Sequence, residues 1–300
     1  MSLVTVIIPT LNEESTIATV VESFRKQLPS ASIFVFDNMS TDRTVELARQ
    51  AGAQVRFVRS RGKGNVIIRA FAELEGDVFL MVDGDDTYDS TVATDMTDLV
   101  LNDAVDMVVA ERVLVDHSQK PRAGHTIGNK LVSALVRVLF RSDTRDVLSG
   151  YRAFSRRFVK SFPGTATGFE IEVQLTAHAA IVAATVSAIE ASYQERQPLG
   201  RGRSKLRTVR DGVRIVFAIF RSYRQFAPTR FFGSGAFFSF GSAVVVLLNW
   251  PSELQRQTTG LLMFIAGLVL FSSGVVLTTI TRVQRQQLRL SYLQYGAPQK

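Results

Sequence analysis

Short apolar runs alternate with amphipathic stretches along the first third of the chain. The runs have the length of buried strands and cover residues 3–8, 32–36, 54–58 and 78–82. Between them, apolar residues recur at helical spacing, and Asn12 can cap the first of these helices. A fifth strand is expected at residues 107–110. The repeat predicts an α/β fold, Rossmann-like, with a mostly parallel sheet and right-handed crossovers.

Polar residues directly follow three of these strands. The three clusters are Thr10, Asn12 and Glu13; Asp37 and Asn38; and Asp83, Gly84 and Asp85. The carboxyl ends of parallel strands meet at one edge of a sheet, and ligands of open α/β sheets bind beyond that edge. We therefore expect the three clusters to share one site.

The acidic cluster after the fourth strand has the composition of a cation site. Asp83 and Asp85 stand two residues apart, and Gly84 permits the bend that brings their carboxylates together. Converging carboxylates hold Mg²⁺ or Mn²⁺ and leave positions open for phosphate oxygens. Taken alone, the cluster is also compatible with a solvated turn that caps the next helix.

A basic residue lies between two glycines at Gly62-Lys63-Gly64. The segment matches neither the P-loop pattern nor the G-x-G-x-x-G dinucleotide fingerprint. Backbone N–H groups and the Lys63 charge can nevertheless face a phosphate. A flexible turn is the other interpretation.

Composition narrows the class of partner. The formal net charge of +8 indicates an anionic partner, which leaves nucleic acid, phosphorylated substrates and anionic lipid. The absence of cysteine excludes disulfides and thiolate metal sites. The first residues lack the basic start and long apolar run of a signal peptide.

Two uncharged stretches, at about 231–250 and 258–281, predict a transmembrane hairpin. A buried helical hairpin of a water-soluble protein is the alternative. Basic residues flank the outer ends of both stretches, which predicts that both termini are cytoplasmic. Gly235, Ser239 and Ala243 form a stripe of small residues that suits close helix contact, either within the hairpin or between subunits.

Residues 206–230 combine apolar residues at helical spacing with arginines. This pattern predicts an amphipathic helix in the membrane interface, with guanidinium groups at lipid phosphates. Nucleic acid is the competing partner, but the adjacent apolar stretches favour lipid. The expected domains are a cytosolic catalytic domain at 1–205, the interfacial helix at 206–230 and a transmembrane hairpin with a basic tail at 231–300.

Several segments together resemble a known family. They are Val6 to Glu13, Asp37 to Asp42, Asp83-Gly84-Asp85, Ser149-Gly150-Tyr151-Arg152, Gly168-Phe169-Glu170 and Ser204-Lys205-Leu206. In this order they resemble the polyprenyl-phosphate glycosyltransferases of the dolichyl-phosphate-mannose synthase type. That resemblance implies a GT-A fold and membership of glycosyltransferase family 2.

The resemblance also implies roles for individual residues. The nucleotide sugar would contact Pro9, Thr10, Asn12, Glu13, Asp37, Lys63, Asp83 and Gly84. Asp83 and Asp85 would hold Mg²⁺ or Mn²⁺ on the diphosphate, and Asp85, Arg112 and Ser149 would be catalytic. The acceptor phosphate would face Arg112, Arg122, Ser149, Arg203 and Lys205. Many relatives carry a metal-approaching glutamine after the acidic motif, whereas this chain has Asp86-Thr87-Tyr88.

The expected reaction is inverting, metal-dependent transfer of a hexose from a UDP- or GDP-linked sugar to dolichyl or undecaprenyl monophosphate at the cytoplasmic membrane face. An acceptor phosphate is already anionic and needs no general base. Two alternatives stay open. One is extension of a lipid-linked saccharide with Asp86 or Glu170 as base. The other is a non-catalytic membrane scaffold. We expect no nucleic-acid partner, and a homo-oligomer formed through the membrane helices.

Overall fold

The computed structural model describes residues 3–114, 133–134, 137, 144–168, 170–194, 217, 219–221, 223–224, 227–249 and 252–296. The strands are β1 Val4–Thr10, β2 Ser32–Asp37, β3 Gln54–Phe57, β4 Val78–Met81, β5 Met107–Leu114, β6 Arg152–Ser155 and β7 Val186–Tyr193. The helices are α1 Ile17–Gln27, α2 Thr44–Gln50, α3 Lys63–Glu73, α4 Ala93–Asn102, α5 Arg156–Ser161, α6 Ile171–Val182, α7 Pro228–Asn249 and α8 Glu253–Gln294. The chain forms two compact units, Met1–Ala218 with Leu288–Lys300, and Ile219–Gln287.

The first unit is built on a seven-stranded sheet of order β3-β2-β1-β4-β6-β5-β7. Strands β1 to β4 are parallel to one another, and β5 is parallel to β7. Only β6 among them runs antiparallel to its neighbours, β4 and β5. The predicted α/β class with a mostly parallel sheet is therefore confirmed.

Helices cover both faces of this sheet, and β1 shows how the sequence produces that arrangement. Val6 and Ile8 pack into the cluster that contains α1, α2 and α4, whereas Ile7 packs into the cluster that contains α3, α5 and α6. Successive strand residues point to opposite faces, so a continuous apolar run fits a strand buried on both sides. Each large apolar side chain buried in this way stabilises the fold by roughly 1.5–3 kcal/mol.

Three local expectations differ from the structure. Strand β5 continues beyond residue 110 to Leu114, because it pairs with β7 along its whole length. The cap predicted for Asn12 is wrong, since α1 begins at Ile17 with Thr16 at the N-cap position. Strands β6 and β7 were not predicted, because β6 begins with a buried Arg152 and β7 is largely exposed.

The end of α8 belongs to the first unit and is attached there through a buried carboxylate. Asp106 is fully buried at the start of β5, and its oxygens accept bonds from Arg157 and from the Tyr292 hydroxyl, the latter at 2.6 Å. The Arg157 guanidinium also lies 4.7 Å from the centre of the Tyr292 ring. The segment predicted as a basic tail is thus helical through Gln294 and is held against the sheet domain.

We expect Tyr292→Phe to lower the free energy of unfolding of the first unit by about 1–3 kcal/mol, because it removes a hydrogen bond to a buried carboxylate. Limited proteolysis should then cleave the segment after residue 288 faster. Tyr295→Phe is the matched control, since Tyr295 is 36% exposed. Equal cleavage rates in the two variants would contradict this role of Tyr292.

The second unit is a helical hairpin of α7 and α8. Three glycines of α8 each receive a large α7 side chain: Gly260 receives Leu247, Gly267 receives Phe240 and Gly274 receives Phe232. The Ser239 hydroxyl donates to the Met263 carbonyl at 2.7 Å, which places the predicted small-residue stripe against α8. Of the two contacts proposed for that stripe, the structure therefore contains the one within the hairpin.

Both helices of the hairpin are long and apolar enough to cross a membrane. The buried fraction of their most apolar stretches is only 11% for α7 and 17% for α8. A core helix of a water-soluble protein would be mostly buried. Within the described residues, the hairpin therefore presents apolar side chains outward, as membrane-spanning helices do.

We expect Gly267→Leu to separate the two helices, because a Cβ at residue 267 already lies 2.6 Å from the Phe240 ring. The apparent melting temperature in detergent should fall by several degrees. The control is Gly241→Leu, since no described atom lies within 4 Å of a Cβ at residue 241. A similar melting temperature for both variants would show that the glycine contacts do not hold the hairpin together.

Candidate active site

Three parallel strands bring the predicted polar clusters to the same edge of the sheet. Thr10 at the end of β1 pairs in register with Asp37 at the end of β2. Met81 ends β4 beside Ile7 of β1, and the backbone N–H of Val82 donates to the Ile7 carbonyl at 3.1 Å. The shared edge expected from the order of strands and helices is therefore present.

The loops after β1 and β2 are joined by side-chain hydrogen bonds. The Asn12 side-chain oxygen accepts from the Thr41 backbone N–H at 2.8 Å, and Asn12 has a φ of 55°. The buried Glu13 donates its backbone N–H to the Thr44 hydroxyl at 2.8 Å. Asparagine tolerates this left-handed conformation, so its role is to join two loops rather than to cap a helix.

The other residues that were predicted to contact the nucleotide sugar line the same loops. Thr10 and Asp37 are buried at the strand ends, and the Asp37 carboxylate accepts from the Ser40 backbone N–H at 3.2 Å. Pro9 is half-buried beside Thr10. These side chains form the wall of the sheet edge at which the acidic turn also lies.

The acidic turn follows β4 and differs in one detail from the prediction. A Cβ at Gly84 would lie 2.8 Å from the Thr10 side chain, so Gly84 is needed for its small size. The residue of the turn with a positive φ is Asp86, at 54°. The Asp85 carboxylate accepts from the Thr87 hydroxyl at 2.7 Å. Burial and the neighbouring Asp85 charge raise the pKa of Asp86 above its usual range.

A buried ammonium group lies beside this turn. Lys63 begins α3, and its Nζ is 2.6 Å from the Asp83 carboxylate and 2.7 Å from the Glu172 carboxylate. The Lys63 and Glu172 side chains are only 8% and 4% exposed, whereas Asp83 is 30% exposed. Burial alone would lower the pKa of Lys63, but the two carboxylates raise it above its usual range, so the residue is charged.

The glycines around Lys63 have a packing role. Cβ atoms at Gly62 and Gly64 would collide with the backbone carbonyls of Thr167 and Ala166, respectively. Gly62 also has a φ of 119°, which favours glycine strongly. The segment interpreted above as a flexible turn is therefore a tightly packed support that brings the Lys63 ammonium to the β4 edge.

Gly150 covers the same ion pair from the turn before β6. A Cβ at this residue would collide with the Asp83 carboxylate and lie 2.8 Å from the Lys63 Nζ. The Gly150 backbone N–H donates to the Tyr88 hydroxyl at 2.9 Å, and burial raises the pKa of Tyr88. Tyr88 therefore fixes the distance between the acidic turn and the Gly150 turn.

Arg112 lies on β5, near Tyr88 and Tyr193. Its Nε and Nη2 atoms make a bidentate pair with Asp146 at 2.6 and 2.7 Å. Its guanidinium also lies 5.3 Å from the centre of the Tyr193 ring. Tyr193 in turn interacts electrostatically with Asp85 and pairs with Tyr88 in an isolated β-bridge. The cationic group and the acidic turn thus both lie near the same pair of tyrosines.

Ser149 is placed differently from its predicted role at an acceptor phosphate. Its side chain is fully buried, and its hydroxyl donates to the Ala110 carbonyl at 2.6 Å. The neighbouring Arg152 is also fully buried and donates to the carbonyls of Val147 and Ser149. Burial lowers the pKa of Arg152 to about 10. Both side chains hold the turn on β5, and the Ser149 hydroxyl is not exposed to a ligand here.

Some predicted residues lie outside the described part of the chain. They are Arg122, Arg203 and Lys205, together with most of the predicted helix at 206–230. Among the described residues, no three His, Cys, Asp or Glu side chains form a metal-binding cluster. A cation at Asp83 and Asp85 would therefore depend on further ligands from a substrate or from water.

Three residues of the site, Asp146, Glu172 and Tyr88, received no specific role from the sequence. Glu172 carries the clearest missed signal, since it is a carboxylate in the first turn of a helix that is apolar and buried on most of its sides. A buried carboxylate needs a cationic partner, and Lys63 is that partner.

Comparison with solved structures identifies the fold. The crystal structure of glucosyl-3-phosphoglycerate synthase from Mycobacterium tuberculosis, in complex with Mn²⁺, uridine diphosphate and glucosyl-3-phosphoglycerate, is similar with a TM-score of 0.60. The match covers 74% of this chain and 80% of that chain at 21% sequence identity. The catalytic unit therefore has a GT-A-like fold, as the resemblance implied.

Sequence comparisons identify the family. The Glycosyl transferase family 2 profile matches residues 5–162. Glycosyltransferase AglJ of Haloferax volcanii is 31% identical over 95% of this chain and 96% of its own length. A dolichyl-phosphate hexose transferase of the same organism is 28% identical over 70% of this chain and 89% of its own length. The chain belongs to glycosyltransferase family 2, and it is a glycosyltransferase.

We expect Gly150→Ala to lower the rate of glycosyl transfer by at least about 100-fold, because the added methyl group displaces the Asp83 carboxylate. The melting temperature should change little, since the Asp83 side chain is partly exposed and can move outward. Gly296→Ala is the control, as no described atom lies within 4 Å of a Cβ there. Wild-type turnover in Gly150→Ala would show that the Asp83 position is not needed.

Proposed function

We propose that the chain transfers a hexose from a nucleotide sugar to a polyprenyl monophosphate, with inversion, at the cytoplasmic face of a membrane. The observation that supports this most directly is that the acidic turn and the Arg112–Asp146 ion pair both lie near Tyr88 and Tyr193. Tyr193 interacts electrostatically with Asp83, Asp85 and Arg112, and the Arg112 guanidinium lies 5.3 Å from the centre of the Tyr193 ring. Such a site can hold a cation-bound diphosphate next to a second anionic group.

The residues at the sheet edge and the similar proteins support the proposed binding of a nucleotide sugar. The loops after β1 and β2 form a wall of buried polar residues beside Asp83, as a nucleoside pocket requires. A structural neighbour was solved with uridine diphosphate and Mn²⁺. UDP- and GDP-linked sugars are both candidates, because the base is selected by pocket shape.

A divalent cation fits the residues at the acidic turn. Asp83 and Asp85 supply hard carboxylate oxygens, and the raised pKa of Asp86, caused by burial and by Asp85, shows that negative charge is crowded here. Asp83 and Asp85 would hold Mg²⁺ or Mn²⁺. When bound, such a cation neutralises charge on the departing nucleoside diphosphate.

The acceptor half requires a group that attacks the anomeric carbon. A phosphate monoester carries about −1.5 to −2 charge near pH 7, so its oxygen is a nucleophile without help from a base. Arg112 is the described cation that we propose to orient it, since its side chain is 20% exposed and its guanidinium is held in position by Asp146. Arg122, Arg203 and Lys205 remain proposed contributors to the same site.

The membrane location rests on the apolar hairpin and on the attachment of Tyr292. The chain enters α7 from the catalytic unit, and the end of α8 is again part of that unit. Both ends of the hairpin therefore connect to the same soluble domain, which supports an even number of crossings. The basic residues at both outer ends favour the cytoplasmic side for that domain.

The test of the reaction uses a panel of radiolabelled nucleotide sugars with polyprenyl monophosphate and purified full-length chain in detergent. We expect a lipid-soluble product with at least one donor and loss of product when metal is chelated. Asp85→Asn should lower turnover by about 10²–10³-fold, because a cation ligand is lost. Asp98→Asn, an exposed aspartate of α4, is the control. Full turnover of Asp85→Asn with metal chelated would refute the proposed metal role.

Extension of a lipid-linked saccharide is the second candidate, and one observation favours it. The raised pKa of Asp86 suits a general base, whereas the Glu170 carboxylate is already bonded to the backbone N–H groups of Thr167 and Gly168. Supplying polyprenyl monophosphate and a lipid-linked sugar in parallel separates the two reactions. Product from the lipid-linked sugar alone would replace the first proposal with the second.

A further inference from the structure

Lys63, Asp83 and Glu172 form an ion-paired group whose two carboxylates differ in solvent exposure and in hydrogen bonding. Asp83 is partly exposed at the sheet edge, and Glu172 is 4% exposed on α6 behind Lys63. One Glu172 oxygen, Oε1, accepts from the Lys63 ammonium. The other, Oε2, is buried and has no hydrogen-bond partner within the described part of the chain.

Charge explains why the unpartnered oxygen matters. One ammonium and two carboxylates leave one net negative charge on the group. If Lys63 faced Asp83 alone, the pair would be neutral, and a divalent cation would meet little attraction at Asp83. Glu172 lies behind the Lys63 ammonium as a second carboxylate, so Lys63 neutralises only part of the Asp83 charge. The Glu172 Oε2 atom is buried and has no donor within the described residues, so it can accept a further hydrogen bond from that ammonium.

Burial makes this sharing strong. Lys63 and Glu172 are both removed from water, so their attraction is screened far less than that of a surface pair. Arg152, the other buried cation near Glu172, bonds to backbone carbonyls and to the Thr176 hydroxyl instead of to Glu172. Within the described part of the chain, Lys63 is therefore the cation that contacts the Glu172 carboxylate.

We propose that Glu172 is a positioning residue that shares the Lys63 ammonium with Asp83, so that Asp83 is only partly neutralised and keeps negative charge with which to bind a divalent cation. This inference rests on the proposed function, since it takes Asp83 as a ligand of that cation. We do not propose Glu172 as a ligand of the divalent cation or of the substrate; it acts through Lys63.

The experiment measures Mn²⁺ binding by the purified full-length chain, using electron paramagnetic resonance of free Mn²⁺. Mn²⁺ is titrated alone and in the presence of UDP or GDP, and neither sugar donor nor lipid acceptor is present. Glu172→Gln keeps the shape and one hydrogen-bond acceptor but removes the charge. We expect Mn²⁺ affinity to fall by about tenfold or more, as is usual when the partner of a metal ligand is changed.

The double variant Lys63→Met with Glu172→Gln separates charge from shape. It removes one positive and one negative charge, so the group keeps the net charge of the wild type. We expect its Mn²⁺ affinity to return to within about threefold of the wild type. A purely structural role of Glu172 would not be rescued by a second substitution in the same cluster. Glu75→Gln, at a surface glutamate paired with Lys160 at the opposite end of β4, is the matched control.

The Mn²⁺-binding experiment can contradict the role of Glu172 without contradicting the proposed function. Wild-type Mn²⁺ affinity in a folded Glu172→Gln variant would overturn the inference and leave the proposed function intact. Absence of Mn²⁺ binding by the wild-type chain under all three conditions would overturn both. If Glu172→Gln does not fold, the double variant decides, because replacing both members of a buried ion pair is often tolerated. A loss of Mn²⁺ affinity of more than about tenfold in the folded double variant would refute the charge argument.

Discussion

The ion pairs of the buried Lys63 ammonium with Asp83 and Glu172 are the interactions around which the wild-type site is assembled. A lysine at 8% exposure is stable only because Asp83 and Glu172 both contact it, and these residues come from the end of β4 and the start of α6. Bringing α3 close enough for those contacts forces its first turn against the backbone of residues 166–167. Gly62 and Gly64 are the residues that permit this approach. Gly150 completes the enclosure, so four segments distant in sequence meet around one charge.

The proposed reaction requires one edge of the sheet to bind two anions. Negative charge is concentrated at Asp83, Asp85 and Asp86, where a cation with its diphosphate can bind. The Arg112 guanidinium is held in position by its bidentate pair with Asp146. Tyr88 and Tyr193 lie close both to the acidic residues and to Arg112. This arrangement suits a glycosyltransferase whose donor and acceptor both carry phosphate.

In the helical hairpin, as around Lys63, glycines allow two elements to approach each other closely. Three glycines of α8 stand opposite large side chains of α7, so the two helices pack through complementary shapes rather than through water exclusion. The outward surfaces stay apolar, as 11% and 17% burial of the most apolar stretches shows. The attachment of Tyr292 to Asp106 then returns the chain to the catalytic unit. The connection of the catalytic unit to both ends of the hairpin supports our proposal of an acceptor that resides in a membrane.

Five features were predictable from the amino-acid sequence: the α/β class, the edge shared by the polar clusters, the acidic motif, the family and the two apolar helices. Each follows from local periodicity or from short motifs, in which the residues that matter are neighbours along the chain. Other features became evident only in the folded chain: Lys63 is a buried ion-paired group, the Ser149 hydroxyl faces the Ala110 carbonyl, Asp86 has the left-handed conformation, and Tyr292 reaches Asp106. The side-chain contacts among these features join residues up to 186 positions apart in the sequence. Partners of that kind are selected by packing and by the need to pair buried charge, which no local pattern of residues records.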